Sequence, residues 1–185
     1  MRVITGSARG VALKTPLGME TRPTSDRVKE ALFSMIQFEV EGRRVLDLFA
    51  GTGQLGIGAL SRGAASAVFV DASRAAVDLV RENLRRTRFS DCAKIVRGDS
   101  IAYLRSCHDQ FDLILLDPPY AQNLLENALR QISEIDILSD RGIIICERPS
   151  EKSVLDSVPG LILDRERRYG GTLISLYRKD ADDAT

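Results

Sequence analysis

From residue 42 onward, short apolar runs alternate with stretches in which apolar residues recur every three or four positions. The runs at 44–49, 67–71, 94–98, 111–117, 142–147, 161–167 and 172–178 predict strands. The stretches near 55–61, 74–87, 100–106 and 124–135 predict helices between the first five of them. Strand and helix in strict alternation, with short connections, imply crossover units and a parallel sheet covered on both faces. The last two strands meet at Tyr169-Gly170-Gly171 with no helix between them, which predicts an antiparallel hairpin at one edge. The expected fold is therefore α/β: a Rossmann-like, mostly parallel seven-stranded sheet with an antiparallel edge hairpin and helices on both faces.

The first 40 residues follow a different pattern. Residues 2–17 carry Gly6, Gly10 and Pro16 among short apolar pieces, as a small hairpin or loop would. Pro23-Thr24-Ser25 then opens a helix, with Thr24 or Ser25 as N-cap and Asp26 in the first turn. Val28, Ala31, Leu32, Met35 and Ile36 keep helical spacing, so one face of this helix docks on the main body. Residues 1–40 read as an arm and docking helix of the same domain, residues 41–180 as its main body, and residues 181–185 as a frayed tail.

The 185 residues suit one domain, and 44% hydrophobic with 28% charged residues is ordinary for a globular chain. Lys+Arg and Asp+Glu number 26 each, so the formal net charge is zero, which argues against gripping nucleic acid by bulk charge. A local patch changes that picture. Residues 2–29 hold six bases (Arg2, Arg9, Lys14, Arg22, Arg27, Lys29) and two acids (Glu20, Asp26), a balance of +4. Outside the sheet and interleaved with small residues, this cluster suits a phosphate-contacting arm as well as a solvated face. Cys92, Cys107 and Cys146 are scattered and His108 stands alone in a polar turn. That usage fits a reducing cytoplasm and offers no metal-ligand spacing. No apolar run reaches the length of a membrane span.

Two motifs carry chemistry. Residues 51–56 read GTGQLG, a G-x-G-x-x-G loop directly after the first predicted strand. In a dinucleotide fold such a loop faces a pyrophosphate. Here Asp47 ends the strand four residues before Gly51, where a carboxylate would repel phosphate but receive an ammonium group. That favours S-adenosylmethionine over a nicotinamide dinucleotide. Asp71 and Asp99 end the second and third strands, placed for ribose hydroxyls and an adenine amine, although either could instead cap the next helix. The second motif is DPPY, residues 117–120, at the end of the fourth strand. Pro118 and Pro119 make a rigid corner without N–H donors. The Asp117 carboxylate and Pro118 carbonyl then offer only acceptors to a planar amine, and Tyr120 offers a ring face for stacking a base.

DLFAGTGQLG with DPPY resembles the class I S-adenosylmethionine-dependent amino-methyltransferases. RVITGSARG, RPTSDRVKEALF, LSRGA, a strand ending in Glu147, and RYGGTLISLY extend the likeness over nearly the whole chain. Together these segments resemble the bacterial small-subunit ribosomal RNA guanine-N2 methyltransferase family. The chain departs from that pattern at Thr5, where the family has a second glycine, and at Val11, where it often has a base.

The resemblance implies S-adenosylmethionine over the strand carboxyl ends. Asp47, Gly51 and Gly53, with Phe49 and Leu55, would hold its methionine end. Asp71 and Ala72 would hold the ribose, and Asp99 and Ser100 the adenine. Asp117, Pro118, Pro119 and Tyr120 would hold a flipped guanine. Arg2, Arg9, Lys14, Arg22, Thr24 and Arg27 would face ribosomal RNA, naked or within a small-subunit particle, and the expected state is a cytoplasmic monomer. DPPY-type motifs also serve DNA adenine or cytosine amino-methyltransferases and protein-glutamine methyltransferases. A non-catalytic RNA-binding assembly factor of the same fold is a further alternative.

Overall fold

The computed structural model describes residues 1–16, 26–119, 123–150 and 158–180. Helix α1 spans Asp26–Met35, followed by β1 (Arg44–Asp47), α2 (Gln54–Ser61), β2 (Ser66–Asp71) and α3 (Arg74–Thr87). Then come β3 (Ala93–Arg97), α4 (Ser100–Ser106), β4 (Phe111–Leu116), α5 (Leu124–Ile135), β5 (Leu138–Pro149), β6 (Leu161–Tyr169) and β7 (Thr172–Lys179).

The strands form one seven-stranded sheet in the order β3-β2-β1-β4-β5-β7-β6. Strands β1 to β5 pair in parallel, while β7 runs antiparallel to both β5 and β6. Chain direction across the sheet reverses between β1 and β4. That is the switch point at which open α/β sheets leave a crevice beyond the strand carboxyl ends.

The central strands read as continuous apolar runs because both of their faces are covered. Val45, Leu113 and Leu115 pack in the cluster that holds Leu32 of α1, Ile36 just after it, Ile57 of α2 and Val80 of α3. Leu46, Ile114 and Leu116 point the other way, onto Leu104 of α4 and Leu129 and Ile132 of α5. Phe33, outside the predicted docking face of α1, is also buried. It lies under α2, where a side chain at Gly58 would collide with its ring.

Strand bounds shift from the apolar runs by up to four residues, and two of the shifts show their cause. Strand β1 stops at Asp47 rather than 49, because Leu48 and Ala50 turn their N–H groups to Leu115 O and Val70 O on opposite neighbours. Strand β5 begins at Leu138, four residues before the predicted run, and pairs Leu138 with Phe111 across a bulge. The register with β4 jumps across the polar Ser139-Asp140-Arg141 segment of β5, from Leu138 opposite Phe111 to Ile143 opposite Leu113, and that segment has the composition of a turn.

The start of the chain is a small hairpin. Arg2 bridges Ala12, Val3 donates to Val11 O, and Gly10 donates to Val3 O. It docks on the end of α2 through Ser61, whose hydroxyl donates to Thr5 O and accepts from the Ala8 N–H. The predicted cap at Thr24 or Ser25 and the tail 181–185 lie outside the described residues. Among those residues, no helix is long and apolar enough to cross a membrane.

Candidate active site

The glycine loop joins β1 to α2 at the switch point. Gly51 (φ 54°) and Gly53 (φ 78°) both take the left-handed backbone that a side chain disfavours. Among the described residues nothing lies within 4 Å of where a Cβ on Gly51 would be, so they leave its outer face open to a ligand. The third glycine of the motif does a different job. A Cβ on Gly56 would meet the Phe69 ring at 2.3 Å, and the Gly56 N–H donates to Asp47 Oδ2 at 2.9 Å. Gly56 thus lets α2 press onto β2 and fixes the Asp47 carboxylate. Reading the motif for ligand approach alone overlooks this role, although the motif itself was the signal.

Asp47 is buried, and burial pushes its carboxyl up to about 7. The Gly56 N–H opposes that shift, while the charges of Asp117 and Asp71 add to it. The ends of β1, β2 and β4 therefore bring three predicted acids within electrostatic reach of one another. A cation entering among them would relieve both the desolvation and the mutual repulsion.

Asp71 braces the loop. Its Oδ2 accepts the Gly51 N–H and its Oδ1 the Ser73 N–H, each at 2.8 Å. Asp99 caps α4, accepting from the Ala102 N–H at 2.8 Å. Each carboxylate oxygen has a second lone pair, so both acids keep capacity for a ligand. The Ser100 hydroxyl is buried and donates to Leu48 O. Ala72 is exposed, Phe49 packs half-buried against the α4–α5 face, and Leu55 is buried beneath the loop.

At the end of β4, Asp117 is half-buried, Pro118 buried and Pro119 exposed; Tyr120 lies outside the described residues. Burial raises the Asp117 carboxyl to about 6, and the charge of Lys29 opposes the shift. Lys29 is itself buried, on α1. It entered the sequence reading only as part of the basic cluster, and nothing in its spacing signalled a place beside Asp117.

Of the other predicted RNA contacts, Arg2, Arg9, Lys14 and Arg27 are exposed, and Arg22 and Thr24 lie outside the described residues. Lys14 is tied to α3: its ammonium lies 3.4 Å from Glu82, and its N–H donates to Asn83 Oδ1 at 2.7 Å. The Asn83 amide also donates to Lys14 O and to Thr52 O, so one buried side chain joins the N-terminal hairpin to the glycine loop. An asparagine in an amphipathic helix carries no sequence signal for such a role. Among the described residues, no group of three or more His, Cys, Asp or Glu is placed to hold a metal ion.

The likeness to known proteins extends over the same elements. The chain is 40% identical to the Bacillus subtilis (strain 168) protein YlbH over 182 residues, covering 97% of this chain and 99% of that one. It is 31% identical to ribosomal RNA small subunit methyltransferase D of Escherichia coli (strain K12), covering 98% and 91%. A solved structure of yhhF from Escherichia coli superposes with a TM-score of 0.88 at 30% identity, covering 98% of both chains. The family model described as Conserved hypothetical protein 95 matches residues 1–178, and the chain belongs to that family.

Proposed function

We propose that this protein transfers a methyl group from S-adenosylmethionine to the exocyclic N2 amine of a guanine in small-subunit ribosomal RNA. One observation carries the reading: a buried aspartate beside an open glycine loop stands next to the acceptor-only DPP corner at the sheet's switch point. Relatives named for ribosomal RNA methylation, similar over nearly the full chain, support the substrate class.

The residues suit the cofactor. Asp47, raised toward neutrality by burial, suits the ammonium of the methionine end. Gly51 and Gly53 leave room for that end, with Phe49 and Leu55 shaping the floor. Asp71 and Ala72 stand where β2 ends, for the ribose, and Asp99 and Ser100 where β3 ends, for the adenine. Bound there, the cofactor supplies an electrophilic methyl on a sulfonium.

The protein's own work falls on the fourth strand. The N2 amine of guanine is a weak nucleophile because its lone pair is delocalised into the ring. Asp117 and the Pro118 carbonyl accept its two N–H groups, favour a tetrahedral nitrogen and direct the lone pair at the methyl carbon. After transfer the nitrogen loses a proton to Asp117 or to water. Tyr120 stacks the base, which must leave its own stack to arrive. Pro119 keeps the corner rigid, so most of the rate comes from positioning. Arg2, Arg9, Lys14, Arg22, Thr24 and Arg27 face the RNA. The enzyme acts as a cytoplasmic monomer on rRNA within a small-subunit particle.

The test is transfer of labelled methyl onto small subunits and, separately, onto deproteinised rRNA, both from cells lacking this protein. Label mapped to one guanine N2 is the expected result. No label in either substrate, with the cofactor tightly bound, would overturn the assignment.

A further inference from the structure

Three cations meet in a groove between the N-terminal hairpin, α1 and α2. Its lining includes Arg2, Lys29, Arg62 and Gln54, with Phe33 and Leu13 beneath them. No acidic side chain lines it among the described residues. In a protein of zero net charge this local concentration of three cations stands out.

Arg62 is held in place. Its guanidinium lies 3.9 Å over the Phe33 ring, and Nη1 donates to Gly58 O at 2.9 Å. Burial lowers its proton affinity, and the nearby charge of Glu30 opposes that shift. Yet no carboxylate lies within ion-pairing distance of Arg62 among the described residues. A planar fork oriented by a ring and a carbonyl, with donors left over, is the arrangement that grips a tetrahedral oxyanion.

The groove touches both halves of the site. Gln54 follows Gly53 directly in the glycine loop, and Lys29 is the cation that acts on Asp117. We propose that this groove seats one backbone phosphate of the RNA next to the target nucleotide, with Arg62 as its principal ligand, Arg2 closing over it and Lys29 adding its charge from beneath. The proposal rests on the rRNA reading above and adds a specific anchor: the phosphate sets the distance from which the base is delivered to Asp117.

The test uses the full-length protein with the small-subunit substrate that takes up the methyl, particle or deproteinised rRNA, and three variants: Arg62→Gln, Arg62→Lys and Arg2→Gln. Arg62→Gln should raise KM for RNA about tenfold, the scale of one charge-assisted hydrogen bond. Its kcat should stay within about twofold. The slope of log affinity against log salt should become shallower by roughly 0.7–0.9, the signature of one lost phosphate contact. Arg62→Lys keeps the charge and should keep the wild-type slope. Arg2→Gln, at an exposed position that packs against little, should move KM the same way without lowering the melting temperature. A methylphosphonate at the seated linkage should weaken wild type about tenfold and Arg62→Gln by clearly less. Wild-type slope and KM in Arg62→Gln and Arg2→Gln, with active methylation, would overturn the phosphate seat alone. A wild-type protein that methylates neither the small-subunit particle nor the deproteinised rRNA would instead remove the reading beneath it.

Discussion

The carbonyl oxygen of Ser61 lies where a side chain on Gly6 would have to go: a Cβ there would stand 1.7 Å away from it. The N-terminal hairpin therefore sits on α2 backbone to backbone, and Ser7 completes the contact by donating its N–H to that same oxygen.

Gly6→Ala should cost about 2–4 kcal/mol in urea denaturation, because the collision adds to the strain of a φ of 90°. Gly10 has a φ of 84° with nothing near its Cβ position. Gly10→Ala should therefore cost only about 1 kcal/mol. Equal losses at the two positions would mean that the hairpin does not press on α2.

Asp47 should make stability and cofactor binding depend on pH in opposite directions. The folded protein holds this proton up to about 7, whereas an unfolded aspartate releases it near ~3.9. Its stabilising contribution is therefore full below the unfolded value and is lost as pH rises through about 7. Asp47→Asn should gain melting temperature relative to the wild type, by a margin that widens from pH 5 to pH 8.5. A margin that stays constant would show that Asp47 does not titrate in this range.

An ammonium group stabilises the charged carboxylate, so S-adenosylmethionine should bind the wild type more tightly at pH 8 than at pH 5.5 and release a proton near neutrality. Calorimetry in two buffers of different ionisation enthalpy measures that proton. Asp47→Asn should weaken binding and abolish the release.

Asp117→Ala should lower single-turnover methylation by about 10²–10⁴ while cofactor affinity changes little. In the wild type the rate should rise with pH along a limb near 6, where the raised carboxyl ionises. Lys29 opposes that raised value, so Lys29→Met should move the limb to higher pH. A limb that stays in place would separate Lys29 from the chemistry.

Asn83→Ala strips three hydrogen bonds that link Lys14 and Thr52. It should cost about 2–3 kcal/mol and weaken cofactor binding through the loosened loop. Asn83→Asp keeps an acceptor for the Lys14 N–H and should recover part of the stability. Cofactor affinity equal to wild type in Asn83→Ala would show that the loop holds its shape unaided.

Much of this protein was legible along the chain, because the determining forces there are local and periodic. Apolar runs alternating with helical spacing specify strands buried on both faces, and the lack of a helix before Thr172 specifies the edge hairpin. GTGQLG and DPPY mark the strand ends where backbone geometry is dictated by glycine and proline themselves. Other features depend on pairs distant in sequence, and a single segment cannot display them. The bulge that holds Ser139-Asp140-Arg141 within β5 is set by where Phe111 and Leu113 of β4 stand. Asp71 and Asp99, read as ligand contacts, also hold backbone N–H groups of the loop and of α4. Asn83, 31 residues beyond Thr52, locks the glycine loop, and Arg62 finds its ring 29 residues upstream. The sequence by itself determined the order of the alternating units along the chain and marked the strand ends, at GTGQLG and DPPY, where the proposed chemistry would sit. Tertiary packing decided how buried each charge is, and hence its proton affinity, since desolvation and neighbouring charges exist only once the elements close on one another.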